Sequence, residues 1–298
     1  NCNIATSCYS LKIGTETSGD CRNIAFANCS LFPQPGKTGY LGGVALQSAD
    51  GSHVENVAVS NITMVGAHSP VFLRLGNRGR GQETPTPGSL ERISISNIVA
   101  SHATWPCVIS GIPGFLVRDV SMANCVFSFD AFPTDEPSKH RTPWVGDEAV
   151  TPIELRVPEV EGGYPDVKLF GKLPAWGLYC RHAENLSLKD LQFRSTVPMP
   201  LAGMVFDGVQ HLDIDGCMTT WPESAASEET SLPAQTLWLH QVQFARVCAC
   251  QVYGVPIPTI RVSGADTRGV FFLDNGFPNT ELDINMDDEV DPDQVEFH

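Results

Sequence analysis

The chain lacks any apolar run near the ~20 residues a membrane-crossing helix needs, and no secretory leader is visible at its start. Basic residues are scarce: 19 Lys and Arg stand against 34 Asp and Glu in 298 residues, a net charge of -15. No basic cluster resembles a nucleic-acid footprint, so neither nucleic acid nor a membrane is expected as a partner. Apolar residues at 3.6 spacing over ten or more positions are missing too, which argues against helical repeats. Ten cysteines are present, but Cys248-Ala249-Cys250 lacks the spacing and partners of a zinc site. No metal and no cofactor is expected.

What is there is a short strand-like phrase that recurs from end to end. Two alternating apolar positions precede a small or polar residue, often Asn. The copies are Ile24 to Asn28, Val57 to Asn61, Ile93 to Asn97 and Val120 to Asn124, with looser ones at Leu186 to Asp190, Leu212 to Gly216, Val242 to Arg246 and Val270 to Asp274. Successive copies lie roughly 30 residues apart, a period that marks one supersecondary unit stacked on the next. The gap between Asn124 and Asp190 is twice as long and reads as one period holding an insertion.

Each period carries a second strand-like run: Leu11 to Ile13, Val44 to Leu46, Val71 to Leu75, Val108 to Ile109, Gly177 to Cys180, Met204 to Phe206, Leu237 to Leu239 and Ile260 to Val262. Two or three short strands per turn, joined by Gly, Pro and Asn corners, predict an all-β, right-handed single-stranded parallel β-helix of about eight coils over residues 1–282. Asn suits the corners because it tolerates left-handed backbone and can pair from coil to coil. A β-sandwich is the rival architecture. With 42% hydrophobic residues the chain can bury a large core as one domain. Its opening, Asn1-Cys2-Asn3-Ile4, reads as the tail of an earlier copy.

Cys29, Cys125 and Cys217 directly follow the repeat residue, where other copies carry Ile62 and Ile98, so they read as small core hydrophobes. A bridge such as Cys8 to Cys21 is left open. The insertion, near Ser128 to Gly171, is rich in proline and acid and out of phase; it reads as an excursion over the side of the solenoid, either a binding loop or a capping flap. The acidic stretch 283–298 is expected to fray.

Chemistry enters through residues flanked by inward apolar ones. In Leu11-Lys12-Ile13, Val44-Ala45-Leu46 and Leu73-Arg74-Leu75 the central residues are expected to point out in one row. Glu16, Gln47, Asp50, Asn77 and Arg78 follow on the same runs. Such a strip suits an extended polymer whose carboxylates are held by Arg and Lys.

At these residues the chain resembles a family. Leu73-Arg74-Leu75-Gly76-Asn77-Arg78-Gly79-Arg80-Gly81 is similar to the Arg-Ile-Lys region of glycoside hydrolase family 28, the polygalacturonase and rhamnogalacturonan hydrolase family, and Cys8 to Glu16 falls where that family has Gly-His-Gly. Trp176 to His182 resembles a divergent bacterial branch. The resemblance implies a pectin-lyase-like solenoid that binds or hydrolyses pectic or other acidic polysaccharide in a secreted or periplasmic setting. Substrate contacts are expected for Arg74, Lys12, Gln47, Asn77 and Arg78 from their common outward phase and, at Arg74, from the resemblance, with Tyr9 in place of the family's His and Arg181 and His182 added from a later coil.

The family's His and Lys are replaced here by the Cys8-Tyr9-Ser10 segment and by Gly76. By the resemblance the catalytic Asp residues belong to coils before Cys2, and the in-chain substitutes are Glu16 and Asp50. Two other classes stay in play: a non-catalytic carbohydrate-binding or structural solenoid, and a polysaccharide lyase.

Overall fold

A computed structural model describes residues 1–130, 155, 157–171, 173–197, 199, 201–222, 235–254, 259–276 and 283–298. Among them, 21 strands join one long sheet in which every strand–strand pairing is parallel. The pairings fall into three ladders that the chain visits in rotation. The first takes in Tyr9–Ile13, Tyr40–Ser48, Ala67–Leu75 and Cys107–Ser110, then the opening halves of Ala175–Lys189 and Ala202–Asp215, and ends through Gln235–His240, Thr259–Ser263 and Asp283–Met286. The second holds the repeat phrases, and the third the residues just after them, such as Cys29 to Leu31, Ile62 to Met64 and Val126–Phe129.

Register follows the repeat. Ile24 pairs with Val57, Val57 with Ile93, Ile93 with Val120, Val120 with Leu186 and Leu186 with Leu212. The Val120–Leu186 step places the insertion inside a single period, as the spacing predicts. Alternation explains the second ladder: along His53–Val65 the residues Val54, Val57, Val59, Ile62 and Met64 are buried while their neighbours face outward. Cys29 pairs with Ile62 and is buried, the packing role its position predicts. All ten cysteines are free thiols, Cys8 and Cys21 included. Burial pushes the Cys125 thiol up to about 11, which keeps it an inert thiol.

The corner after each phrase is where the sequence chemistry acts most locally. Asn28, Asn61, Asn97, Asn124, Asp190 and Asp274 all have φ between 49° and 56°, the left-handed region. Side chains continue the stack: Asn61 Nδ2 donates to Asn28 Oδ1 (3.0 Å) and Asn97 Nδ2 to Asn61 Oδ1 (3.1 Å). Inside, aromatic rings stack across turns, Phe127 on Phe193 (5.5 Å) and Phe129 edge-on to Trp176 (5.6 Å), which meets Trp221 edge-on at 5.1 Å.

Three expectations are corrected. The copy at Val242 to Arg246 begins three residues later: Ala245 pairs with Leu212 and the left-handed corner is Ala249. Val242 is the apolar residue that closes the preceding corner, so hydrophobicity alone misplaced the phase. Lys12, Ala45 and Arg74 do not share a row, because Lys12 pairs with Ala45 and Ala45 with Phe72, whereas Arg74 pairs with Gln47. A shift of two residues keeps the face but changes the row. The acidic stretch 283–298 does not fray: Ile284 pairs with Ile260 and Val295 with Val270, so it closes the first and second ladders.

Asn61→Ala is expected to lower stability by about 1–2 kcal/mol, because alanine lacks the amide that lets asparagine tolerate left-handed backbone. Asn61→Gly should recover most of that loss. Urea denaturation of the two variants checks this, and equal losses would show that the side-chain stack, not the backbone, dominates.

Candidate functional site

The first ladder differs from the other two in being buried on both faces. Leu11, Val44, Val71 and Ile13, Leu46, Leu73 point into the core, yet the residues between them, Ala45, Phe72, Val108, Tyr179, Val205 and Trp238, are also buried. This is why the ladder reads as continuous apolar runs such as Val44-Ala45-Leu46 and Cys107-Val108-Ile109. The cover is the returning limb of the insertion. Val167, Phe170 and Leu173 pack on Phe72, Val108 and Tyr179 to form a second apolar core. Each contributes about 1.5–3 kcal/mol by burial, so the limb belongs to the fold. The outgoing part, 131–154, lies outside the described residues.

Two arginines fasten this strap. Arg74, 1% exposed, donates to Ser110 Oγ and Gly111 O (both 2.8 Å) and to Glu159 O (3.1 Å) and Val160 O (3.0 Å). Arg181, also 1% exposed, donates to Val157 O and Pro158 O (both 3.1 Å) and pairs with the Glu159 carboxylate. Both guanidinium groups lie against the Phe170 ring, at 5.0 and 5.8 Å. Burial, and then the neighbouring Arg181 charge, bring Arg74 down to about 10.

The other residues of the expected strip sort by their distance from the strap. Gln47 is buried, accepting from Thr15 Oγ1 (2.9 Å) and donating to Pro165 O (3.0 Å). Tyr9 Oη accepts from Val167 N (2.9 Å), and burial, then the Asp166 charge, raise its pKa. The Asn77 backbone N–H donates to Glu161 O (2.8 Å). Asp50 receives Arg78 Nε and Arg80 N, both at 2.9 Å; burial pushes its carboxyl up, but these donors and the two cations outweigh that and hold it below the usual range. Glu16 is exposed and pairs with exposed Arg80, on the side of Arg78. At the rim stands Tyr164, 52% exposed, with Lys12 Nζ 5.8 Å and Arg78 Cζ 5.5 Å from its ring.

A second group of polar residues gathers where the strap meets later turns. Arg181, Asp207, His240 and Ser263 occupy one register position on four successive strands. Asp207 Oδ2 accepts from Tyr179 Oη (3.3 Å), His182 Nε2 lies 3.1 and 3.2 Å from the Glu159 carboxylate oxygens, and His240 Nδ1 lies 2.9 Å from Ser263 Oγ. Burial raises the Asp207 carboxyl despite the Arg181 charge beside it. Glu159 goes the other way: burial pushes it up, but the His182 contact and the Arg181 charge bring it below the ordinary value. Arg181 and His182 were legible in the sequence; Glu159, Asp207, His240 and Tyr164 were not singled out. Three of them carried a usable signal, since Asp207 and His240 follow the inward Phe206 and Leu239 in the same phase as Arg181 after Cys180, and Tyr164 stands in a Gly-Gly-Tyr-Pro turn. No helix among the described residues is long and apolar enough to cross a membrane.

Comparison with known protein families, with curated proteins and with solved structures finds no match to this chain.

Two outcomes follow from the strap. Arg74→Ala removes a donor from the buried Ser110 Oγ and Gly111 O and from the part-buried Glu159 O and Val160 O. Of these, Gly111 O keeps Ser110 Oγ and Val160 O keeps Gly163 N. At about 1–3 kcal/mol for a group left unpaired, the change should lower stability by a few kcal/mol in chemical denaturation and open 157–171 to protease. Arg80→Ala, on the exposed rim, should leave the midpoint where it was. Asp50 gives the pH dependence. Its folded pKa lies below the unfolded value of ~3.9, so its contribution is full above that value and is lost as pH falls through the folded pKa. Asp50→Asn should therefore flatten the acid limb of a stability–pH curve below about pH 5, and an unchanged slope would show that the Arg78 pairing contributes nothing to folding.

Proposed function

We propose that the chain is a right-handed single-stranded parallel β-helix of the pectin-lyase-like kind that binds an acidic polysaccharide along the first-ladder face, as a glycosidase-like protein working outside the cytoplasm. Three in-register parallel ladders visited in rotation support the β-helix reading, and crossovers between parallel strands are right-handed in nearly all proteins. Left-handed asparagine corners add to it.

The observation that carries the ligand class is the rim around Tyr164. An exposed tyrosine ring with Lys12 and Arg78 beside it, and Arg80 just beyond, offers an apolar plate for the face of a sugar and cations for its carboxylates. The strip residues Gln47, Asn77, Tyr9, Arg74 and Arg181 then act from beneath, by holding the strap that carries Tyr164.

A second reading is a binding or structural solenoid without catalysis. The burial of Arg74 under the strap favours it, and so do the arginine partners of Glu16 and Asp50, which leave neither carboxylate free as an acid or base.

Affinity electrophoresis in polygalacturonate gels tests the ligand. Tyr164→Ala and Lys12→Ala should each weaken retardation about tenfold, equivalent to roughly 1.4 kcal/mol. Arg92→Ala, on the second ladder, should change nothing. Equal effects from all three variants would place the ligand on another face, and no retardation of the native chain would exclude this class of polymer.

A further inference from the structure

Second-ladder strands carry another left-handed corner near their start. In earlier turns it holds Asn23, Asn56, Arg92, Asp119 and Asn185, mostly residues that accept this backbone, with side-chain links such as Asn56 Nδ2 to Asn23 Oδ1 (3.1 Å). Later turns break the pattern: His211 and Phe244 follow at φ 56° and 60°, then Gly269 at 62°. A bulky aromatic is strained in left-handed backbone, and burial does not offset the strain, because Phe244 is 51% exposed. Its ring lies parallel to that of exposed His211, with centroids 5.2 Å apart at 13°. Toward the next turn stands Gly269, where a Cβ would come within 3.1 Å of Phe244 Cδ1, so glycine lays no side chain against the ring. Charge changes at the same place. The residue before the corner is Arg or Glu in earlier turns, with ion pairs such as Arg22–Glu55 and Arg118–Glu184. In the later turns it is Gln210, Gln243 and Arg268, one above another. Exposed Arg268 donates to Gln243 Oε1 (2.7 Å), its Cζ lies 5.7 Å from the Phe244 ring centre, and it pairs with no carboxylate among the described residues.

We propose that Phe244, His211 and Arg268 form a second subsite, for a sugar residue that carries a carboxylate, apart from the rim at Tyr164. The proposal rests on the glycan-binding reading above. The exposed part of the Phe244 ring takes the apolar face of the sugar, and His211 backs that ring from the turn before. Arg268 offers its remaining guanidinium donors to the carboxylate, with no acid of its own to compete. Gln210 and Gln243 present neutral amides where earlier turns carry Glu55, Glu91 and Glu184, so the anion meets hydrogen-bonding groups and no repulsion from that row. An exposed ring at a corner where asparagine suits the backbone better breaks a local rule without a gain in packing, and such breaks mark functional positions. The first-ladder strands that lead to the two sites, Ala67–Leu75 before Arg78 and Gln235–His240 before Phe244, are four steps apart. At ~4.8 Å per step that is about 19 Å, so one sugar residue cannot occupy both.

The test uses the full chain in polygalacturonate gels, with melting temperature measured beside retardation. Phe244→Asn removes the ring and gives the corner a residue suited to it. The variant should melt at or above the native temperature, yet weaken retardation about fivefold. A merely structural role for Phe244 would not produce that opposition. Arg268→Gln should weaken retardation by a similar factor, and Arg194→Ala, on the third ladder, should change neither quantity. Should Phe244→Asn melt early, Arg268→Gln alone decides. Retardation unchanged in Arg268→Gln, or in a stable Phe244→Asn, while Tyr164→Ala still weakens it, overturns the inference and leaves glycan binding at the Tyr164 rim standing. Absence of retardation in the native chain overturns both.

Discussion

Register is the constraint on which the rest of the structure depends. Each strand hydrogen-bonds to the strands one turn before and one turn after it, and side chains alternate with period two. A slip of one residue would therefore turn a whole ladder inside out. The left-handed corners at Asn28, Asn61, Asn97 and Asn124 hold against such a slip. They fix the length of the phrase between corner and core, and the amides of Asn28, Asn61 and Asn97 link neighbouring turns. Where the corner residue is Ala249 the register persists through backbone pairing, with Ala245 on Leu212 and Val247 on Ile214, and through Arg246, which bridges to Asp213 and Asp215 one turn back.

Register also creates the polar row. Because Gln47, Arg74, Ser110, Arg181, Asp207 and His240 stand one above another, a single change of residue type along the ladder changes the local chemistry every ~4.8 Å. At one end the row is neutral and cationic, and its donors meet the carbonyls of the strap. Further along it turns acidic and imidazole-rich, and the strap's carbonyl contacts give way to Glu159. The strap thus gives one face an anchored floor and, at Tyr164, an exposed rim.

The buried arginines show why charge count alone misleads on such a surface. An arginine flanked by inward leucines on a strand looks available for an anionic ligand. Arg74 and Arg181 instead spend their donors on strap carbonyls, because a segment that covers a sheet brings backbone acceptors that must be paired once water is gone. Phe170, with both guanidinium groups against its ring, completes the seal.

The sequence by itself determined the strands, their phase and most of their register, since these follow from local alternation and from residues that accept left-handed backbone. It also determined that the long step from Asn124 to Asp190 holds an insertion, and that Cys29 stands where Ile62 stands. Only tertiary structure decided what covers the first ladder. The signal was present in Phe72, Val108, Tyr179, Val205 and Trp238, apolar residues at outward positions, but period-two alternation cannot say which distant segment meets them. The same limit applies to the site. Glu159 and Asp207 lie far apart in the chain and enter one cluster through the docking of the strap, a non-local contact that no local pattern encodes.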